Sequence, residues 1–253
     1  MAESVVLAIE TSQRSGGAAL RGRDGAVYVE ALSARVRHDE QLMPAIDGLF
    51  KQAGLARRDL SAVGVSIGPG GFTGLRIGVS TAKMVAMSLG ASVVAVPTAL
   101  VVAEGCVSDL AGEGPIVVAL ASKGDTVWAT RLARREGAWR IEGAPGLVRA
   151  EELSLEGLTV LIGDAYLPEA LRARCGSREG GRIEVLGPVF DPRSCLQVAE
   201  RLLREGETTD AYRLSPMYAR EPEAVRLWED RERRERGGTG GGGGNHEEDE
   251  AVQ

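Results

Sequence analysis

Apolar and polar positions along the chain follow two periods, and together they lay out an α/β order. Val5 to Glu10 is a short apolar run of strand length, and Gly16 to Arg21 and Gly25 to Leu32 read as two further strands in a hairpin opening. From Asp39 to Ala53 the period changes: Leu42, Met43, Ile46, Leu49, Phe50 and Ala53 recur at three and four, and Gly54 stands where a helix-ending glycine belongs. An apolar strand, Ala62 to Ile67, then runs into Gly68-Pro69-Gly70-Gly71, a turn in which glycine and proline force a change of direction. Thr73 has the chemistry of an N-cap and Phe72 that of a hydrophobic staple, so a helix is expected from about Gly74. A strand at Ser92 to Val96 and Pro97-Thr98 end the first half.

The helix after the glycine turn has small residues at every fourth position: Gly74, Gly78, Ala82 and Ala86, with Gly90 just past its end. Residues four apart share a face. Two interior glycines cost about 1 kcal/mol each against alanine, so close approach of another backbone is the physical reason to keep them. Leu75, Ile77, Val79, Met84, Val85, Met87 and Leu89 occupy most other positions, and the pattern predicts a helix covered on nearly all sides.

The second half is rich in strands. Pro115 to Ala121 and Thr126 to Ala133 read as a pair around Ser122-Lys123-Gly124-Asp125, and Gly157 to Ile162 as a short buried strand ending at Gly163-Asp164. A helix at Leu167 to Arg174, a strand at Arg182 to Leu186 and a helix at Pro192 to Glu205, with proline at its first position, follow. Beyond Trp228 the sequence EDRERRERGGTGGGGGNHEEDEAVQ has neither periodicity nor apolar content and is expected to be disordered, its charge run a solvated extension rather than a partner-binding segment.

With 253 residues and 43% hydrophobic content the chain can build one large or two small cores. The formal charge is −6; residues 226–253 hold 5 basic and 8 acidic side chains, which leaves 25 against 28, or −3, for the body. A surface-wide attraction for nucleic acid is not encoded, and only a local basic patch stays open. Cys106, Cys175 and Cys195 are widely spaced with no C-x-x-C pair, as reduced structural thiols would be. No apolar stretch approaches the ~20 residues of a spanning helix and no basic region precedes one at the start, so no membrane contact and a cytoplasmic location are expected.

Candidate chemistry is sparse. A strand, a glycine turn and a helix start together can hold an anion, or they can simply be a tight structural turn. None of Lys51, Lys83 and Lys123 follows a glycine as a Walker A lysine does, and threonine at position 73 interrupts the dinucleotide glycine pattern. The two histidines are His38, at a helix start, and His246, in the tail, too few for a mononuclear metal site built on histidine pairs. No G-x-S-x-G elbow supplies a serine for His38, which reads as a helix-start or packing residue. No spacing nominates a carboxylate pair.

The run GPGGFTGLRIGVSTAK, residues 68–83, resembles the signature of the bacterial tRNA threonylcarbamoyladenosine biosynthesis family TsaB (YeaZ), non-catalytic relatives of the glycoprotease-like transferase TsaD. Arg37-His38-Asp39-Glu40-Gln41-Leu42-Met43-Pro44 resembles the family's histidine before a helix with an early proline, and Ser215-Pro216-Met217-Tyr218-Ala219-Arg220 resembles its Pro-x-Tyr-x-Arg ending, expected to stitch the tail to the body. Two positions depart: the family usually has serine where Gly71 stands, and an Asp-Ala-Arg segment where Ala121 to Trp128 reads ASKGDTVW. In the actin-like superfamily an acidic residue and a hydroxylated turn, here Glu10-Thr11-Ser12-Gln13-Arg14-Ser15, touch nucleotide phosphates and metal; taken by itself this stretch is also a plain polar hairpin.

The resemblance implies a duplicated actin-like ATPase fold, two α/β subdomains with mixed sheets, divided as 1–98 with the partner-binding helices, 99–225, and a disordered tail 226–253. It implies a non-catalytic scaffold that binds a TsaD-like transferase, with a TsaE-like ATPase as third component, a homodimer when alone, and tRNA met only through the complex. No catalytic, cofactor or metal residue is expected. The expected partner interface comprises Leu42, Ile46, Leu49, Gly74, Gly78, Ala82 and Ala86. The alternative is an independent actin-fold ATPase or kinase, or a glycoprotease-like peptidase, which would need a catalytic acid and second phosphate loop or a metal site.

Overall fold

The computed structural model describes residues 4–107, 114–176 and 182–219, with positions 228, 231 and 232. Arg220 of the expected Pro-x-Tyr-x-Arg ending lies outside the described residues, as does the expected tail 226–253 with His246 except for those three positions. Residues 1–219 form one compact unit and 220–253 cluster separately.

The first sheet has the order β3-β2-β1-β4-β5. Strands β1 (Val5–Glu10), β2 (Gly16–Arg21) and β3 (Val27–Leu32) form an antiparallel meander, while β4 (Leu60–Gly68) and β5 (Ser92–Pro97) join β1 in parallel. Both parallel connections pass through helices, α1 (His38–Gln52) and α2 (Phe72–Leu89), and the right-handed crossover rule places them on the same face. There Leu42, Ile46, Leu49 and Phe50 of α1 and Val79, Ala82 and Ala86 of α2 share one core cluster with Leu7, Ile9, Val63 and Val65.

The second sheet repeats the plan. After α3 (Thr98–Val107) come β6 (Ile116–Ala121), β7 (Thr126–Arg135) and β8 (Ala138–Ile141) as a meander, with β9 (Gly146–Arg149) also on β7; β10 (Val160–Gly163) and β11 (Glu184–Leu186) then extend β6 in parallel. Its order, β11-β10-β6-β7-β8, is the first sheet read backwards, so the antiparallel-then-parallel pattern occurs twice. Helix α4 (Glu169–Gly176) covers its outer face, and α5 (Pro192–Arg204) follows β11 as α3 follows β5.

Helices α3 and α5 fill the layer between the sheets, where Leu100, Val102, Leu196 and Val198 meet Val94 and Val96 of one sheet and Ile116, Val118 and Ile162 of the other. Asp191 caps α5, its carboxylate accepting from Arg193 N at 2.9 Å, and the Arg21 guanidinium grips Glu200 in two hydrogen bonds of 2.6 and 2.8 Å. Two sheets of the same plan that share a helical layer make the duplicated actin-like α/β fold, within one compact unit that shows no division at residue 98.

Three expectations change. Gly71, not Thr73, is the N-cap of α2, and no side chain caps it; the chain enters the helix two residues early because Gly71 N–H is held by Ser12 O at 2.7 Å. Helix α2 is not covered all round, since Met84 is 69% and Met87 47% exposed. Helix α3 and strands β8 and β9 have no counterpart in the sequence reading: α3 is buried on every side, so its Ala99-Leu100-Val101-Val102-Ala103 run shows no polar face.

Packing of α5 on β4 is close enough to require a glycine. A Cβ on Gly64 would stand 2.3 Å from Ala199 Cβ, whereas one on Gly48, inside α1, would meet nothing within 4 Å. Gly64→Ala is therefore expected to cost about 1–3 kcal/mol by overpacking. Gly48→Ala should instead gain roughly 0.5–1 kcal/mol from helix propensity. Urea melts of the two variants check the pair; shifts of the same sign would contradict the packing described.

Candidate functional site

Three segments converge at one end of the first sheet: the β1–β2 turn, the β4–α2 turn and the start of α1. The glycines of α2 lie flat on the first of these. A Cβ on Gly70 would fall 2.3 Å from Ser12 O, one on Gly74 2.1 Å from Thr11 O, and one on Gly78 2.2 Å from Thr11 Oγ1. Thr11 Oγ1 in turn donates to Gly74 O at 2.9 Å. The backbone that the small stripe was expected to meet is thus the chain's own β1–β2 turn, and the glycine turn has a packing reason independent of any anion. His38 stands at the same junction, its Nε2 3.1 Å from Arg14 O, in the helix-start role expected of it.

Beneath the turn lies a closed polar cluster. Glu10 is fully buried; its Oε1 accepts Ser12 N–H at 2.7 Å, while Oε2 and Ser12 Oγ have no hydrogen-bond partner. Burial pushes the Glu10 carboxyl above its ordinary range, and the nearby Ser12 hydroxyl, the Ser12 N–H and the Ser66 hydroxyl oppose the rise. Beside it Ser66 Oγ and Thr98 Oγ1 are 2.7 Å apart, and Cys195 Sγ donates to Ile9 O at 3.7 Å, its thiol pushed well up by burial and then by the Glu10 charge. Glu10 therefore serves the turn from inside rather than facing a cleft. At the matching end of the second sheet Asp164 accepts from Ala121 N at 3.0 Å and Tyr166 N at 2.9 Å, a loop-organising role the sequence reading missed. An acid directly after a buried strand and a glycine was the available signal. Among the described residues no three His, Cys, Asp or Glu side chains gather where a metal could be held, and no helix is long and apolar enough to cross a membrane.

The structure turns the expected interface residues inward. Leu42, Ile46, Leu49, Ala82 and Ala86 are buried against the first sheet, Gly78 is buried against Thr11, and only Gly74 keeps partial exposure at the turn. Their side chains cannot themselves form a contact surface in the folded chain, because the same apolar periodicity that marks them is the one the sheet consumes. What α1 and α2 leave exposed is Met43, Met84, Met87 and Phe72, and Met43 lines a 360 Å³ depression between the two helices together with Pro44, Ile46, Asp47, Phe50, Arg57, Val85 and Leu89. Methionines off the small-residue stripe were the signal for this face.

Segment 209–219 straps α2 in place. Thr209 N donates to Val93 O and Met217 N to Ile67 O at 2.8 and 2.7 Å, and Lys83 Nζ donates to Tyr212 O at 3.0 Å. Tyr218 packs on Phe72 with ring centroids 5.0 Å apart, and the Arg76 guanidinium lies 4.7 Å from the Phe72 centroid. Tyr218 thus makes the expected stitch.

This arrangement can be set beside known proteins. The family model for TsaD, tRNA N6-adenosine threonylcarbamoyltransferase, matches residues 32–137. The TsaB protein of Escherichia coli is 25% identical over 224 residues, 85% of this chain and 94% of that protein. The TsaB protein of Bacillus subtilis is 39% identical over 84 residues, 33% of this chain and 37% of its own length. The solved structure of YeaZ from Pseudomonas aeruginosa superposes with a TM-score of 0.74 at 22% identity, over 85% of this chain and all of that one, and shows the shared fold. The chain is similar to the TsaB (YeaZ) proteins over most of its length. The TsaB relatives are named for tRNA threonylcarbamoyladenosine biosynthesis, and the TsaD match includes α1, β4, α2 and β5, which carry two of the three segments of the junction, while the β1–β2 turn lies outside it.

The buried carboxyl gives the site a pH signature. With its folded pKa raised, Glu10 holds its proton more tightly in the native chain than in the unfolded one, so stability falls as pH rises above the unfolded value of about 4.3 and continues to fall until the folded group ionises. Glu10→Gln keeps an acceptor for Ser12 N–H without the charge. Its stability relative to wild type is expected to grow from pH 5 towards pH 8 in urea titrations; an advantage that shrinks with pH would mean that Glu10 is a stabilised carboxylate.

Proposed function

We propose that this chain is a non-catalytic accessory subunit of the complex that attaches threonylcarbamoyl to N6 of the adenosine next to the anticodon in tRNA, and that it holds a TsaD-like transferase through the outward face of α1 and α2. The observation that carries the reading is the exposure of Met43, Phe72, Met84 and Met87 on two helices whose inner sides are fixed to the sheet. Solvent-facing large apolar groups gathered on one rigid surface are a mark of protein contact, and methionine adapts its shape to a partner. In this reading residues 1–98 are the docking half and 99–225 the half that backs it. A TsaE-like ATPase completes the assembly, tRNA is met through the complex, and the same face pairs two copies when the transferase is absent. The names of the TsaB relatives and the TsaD match over the two helices support this assignment.

Met84→Asp and Met43→Asp alter only exposed side chains, so the melting temperature should stay within a few degrees of wild type. Removing a well-buried interface anchor costs ~2 kcal/mol or more, roughly thirtyfold in affinity. Both variants should therefore lose transferase binding in calorimetry and fail to support modification of a tRNA transcript. Wild-type affinity in a folded Met84→Asp chain would remove this face from the interface. By contrast Gly78→Leu and Ala82→Leu are expected to unfold the chain, since their side chains point into the sheet.

A further inference from the structure

Beside the docking face, the starts of α1 and α2 and the β1–β2 turn enclose a 390 Å³ pocket. Arg14, Arg35, Arg37 and His38 line it, with Thr73 and Gly74 on the α2 wall, and Asp39 is its one acid. Arg37 already holds that acid, with Nε and Nη2 at 3.1 and 2.6 Å from the two carboxylate oxygens. Arg14 and Arg35 are exposed and neither is in an ion pair among the described residues, so the lining carries two positive charges beyond its one acid, on a body whose formal charge is −3.

The backbones that bear these arginines are fixed. His38 Nε2 lies against Arg14 O, and Gln41 clamps the loop before α1: its Nε2 donates to Ser33 O and Val36 O at 3.1 and 2.8 Å while its Oε1 accepts Ser33 N–H at 2.9 Å. Side chains on a loop held this way lose less freedom on binding an anion. Arg76, spread over Phe72, extends the positive surface along the first turn of α2.

We propose that this pocket binds the phosphodiester backbone of RNA, so that the chain itself contributes to gripping the tRNA that the complex modifies. Guanidinium groups fit phosphate oxygens in pairs, and Arg14 and Arg35, on two separate segments that line one concavity, suit successive phosphates of a curved strand. The inference rests on the tRNA-modification reading for the identity of the RNA. A strand held here would run along the edge of the docking face, within reach of a transferase seated on α1 and α2.

The test is fluorescence anisotropy of a labelled tRNA transcript with adenosine at the modified position. It is titrated with the chain–transferase complex and with the chain alone over about 50 to 300 mM salt, a range in which phosphate contacts dominate affinity. In the complex, Arg14→Glu/Arg35→Glu should raise Kd at least tenfold and lower the slope of log K against log salt by about 1.5, the loss of two phosphate contacts. Arg14→Lys/Arg35→Lys should recover most of the affinity, and Arg58→Glu, in the turn just before β4, should behave as wild type. In the modification assay the charge reversal should raise KM for tRNA and leave kcat unchanged. Wild-type RNA affinity and salt slope in the folded charge reversal overturn the inference while the accessory-subunit reading stands. Loss of transferase binding with RNA affinity unaltered also overturns it and assigns the arginines to a protein contact. If the wild-type chain neither binds nor activates the transferase, the accessory-subunit reading fails instead. The chain-alone titration then decides the pocket, which equal binding by wild type and the charge reversal would overturn.

Discussion

The contact on which the rest depends is between the Thr11–Ser12 turn and the glycines of α2. Two backbone carbonyls occupy the places where Cβ atoms at Gly70 and Gly74 would be, and one hydrogen bond, Gly71 N–H to Ser12 O, fixes where the helix starts. Without side chains there, α2 can lie directly on the end of β1. Its inner face then meets the sheet through Val79, Ala82 and Ala86, and its outer face is left with Met84 and Met87. The buried Glu10 belongs to the same device, since its carboxyl holds Ser12 N–H while Ser12 O holds Gly71. A fully buried acid with one unpartnered oxygen is a costly support, and a local one.

Strands β1, β4 and β5 and helices α1 and α5 were legible because each is bounded by turn chemistry and shows one clear period, as with Leu42, Ile46 and Leu49 ahead of Gly54, or Asp191-Pro192 ahead of α5. The helix α3 was not, because a segment enclosed by both sheets and α5 has no polar side to reveal its period. Short strands such as β8, with four residues, give periodicity too little length to register. The site was legible in its parts and not in its direction. The stripe of Gly74, Gly78, Ala82 and Ala86 was rightly read as a place of close approach, but periodicity cannot say whether the approaching backbone belongs to a partner or to the same chain. Here it is the chain's own β1–β2 turn and sheet.

That distinction reshapes the functional account. Glycines that secure α2 internally leave its outward side to methionines, so the proposed docking face would be built from adaptable side chains on a helix held to the sheet. Segment 209–219 adds to this rigidity through Lys83 and the Phe72–Tyr218 contact, and it brings the far end of the folded body to the same corner as the arginine-lined pocket. The fold, the proposed docking face and the arginine-lined pocket therefore share one structural support.

The most direct measurement of that dependence is the affinity of Gly74→Ala for the TsaD-like transferase, taken at a temperature where the variant is folded. None of Met43, Phe72, Met84 and Met87 changes, but the added methyl group cannot coexist with Thr11 O at 2.1 Å, so α2 must shift. The account expects binding to weaken by about tenfold, equivalent to ~1.4 kcal/mol. Unchanged affinity in a variant shown to be less stable would contradict it, because the docking face would then be independent of the contact that positions α2.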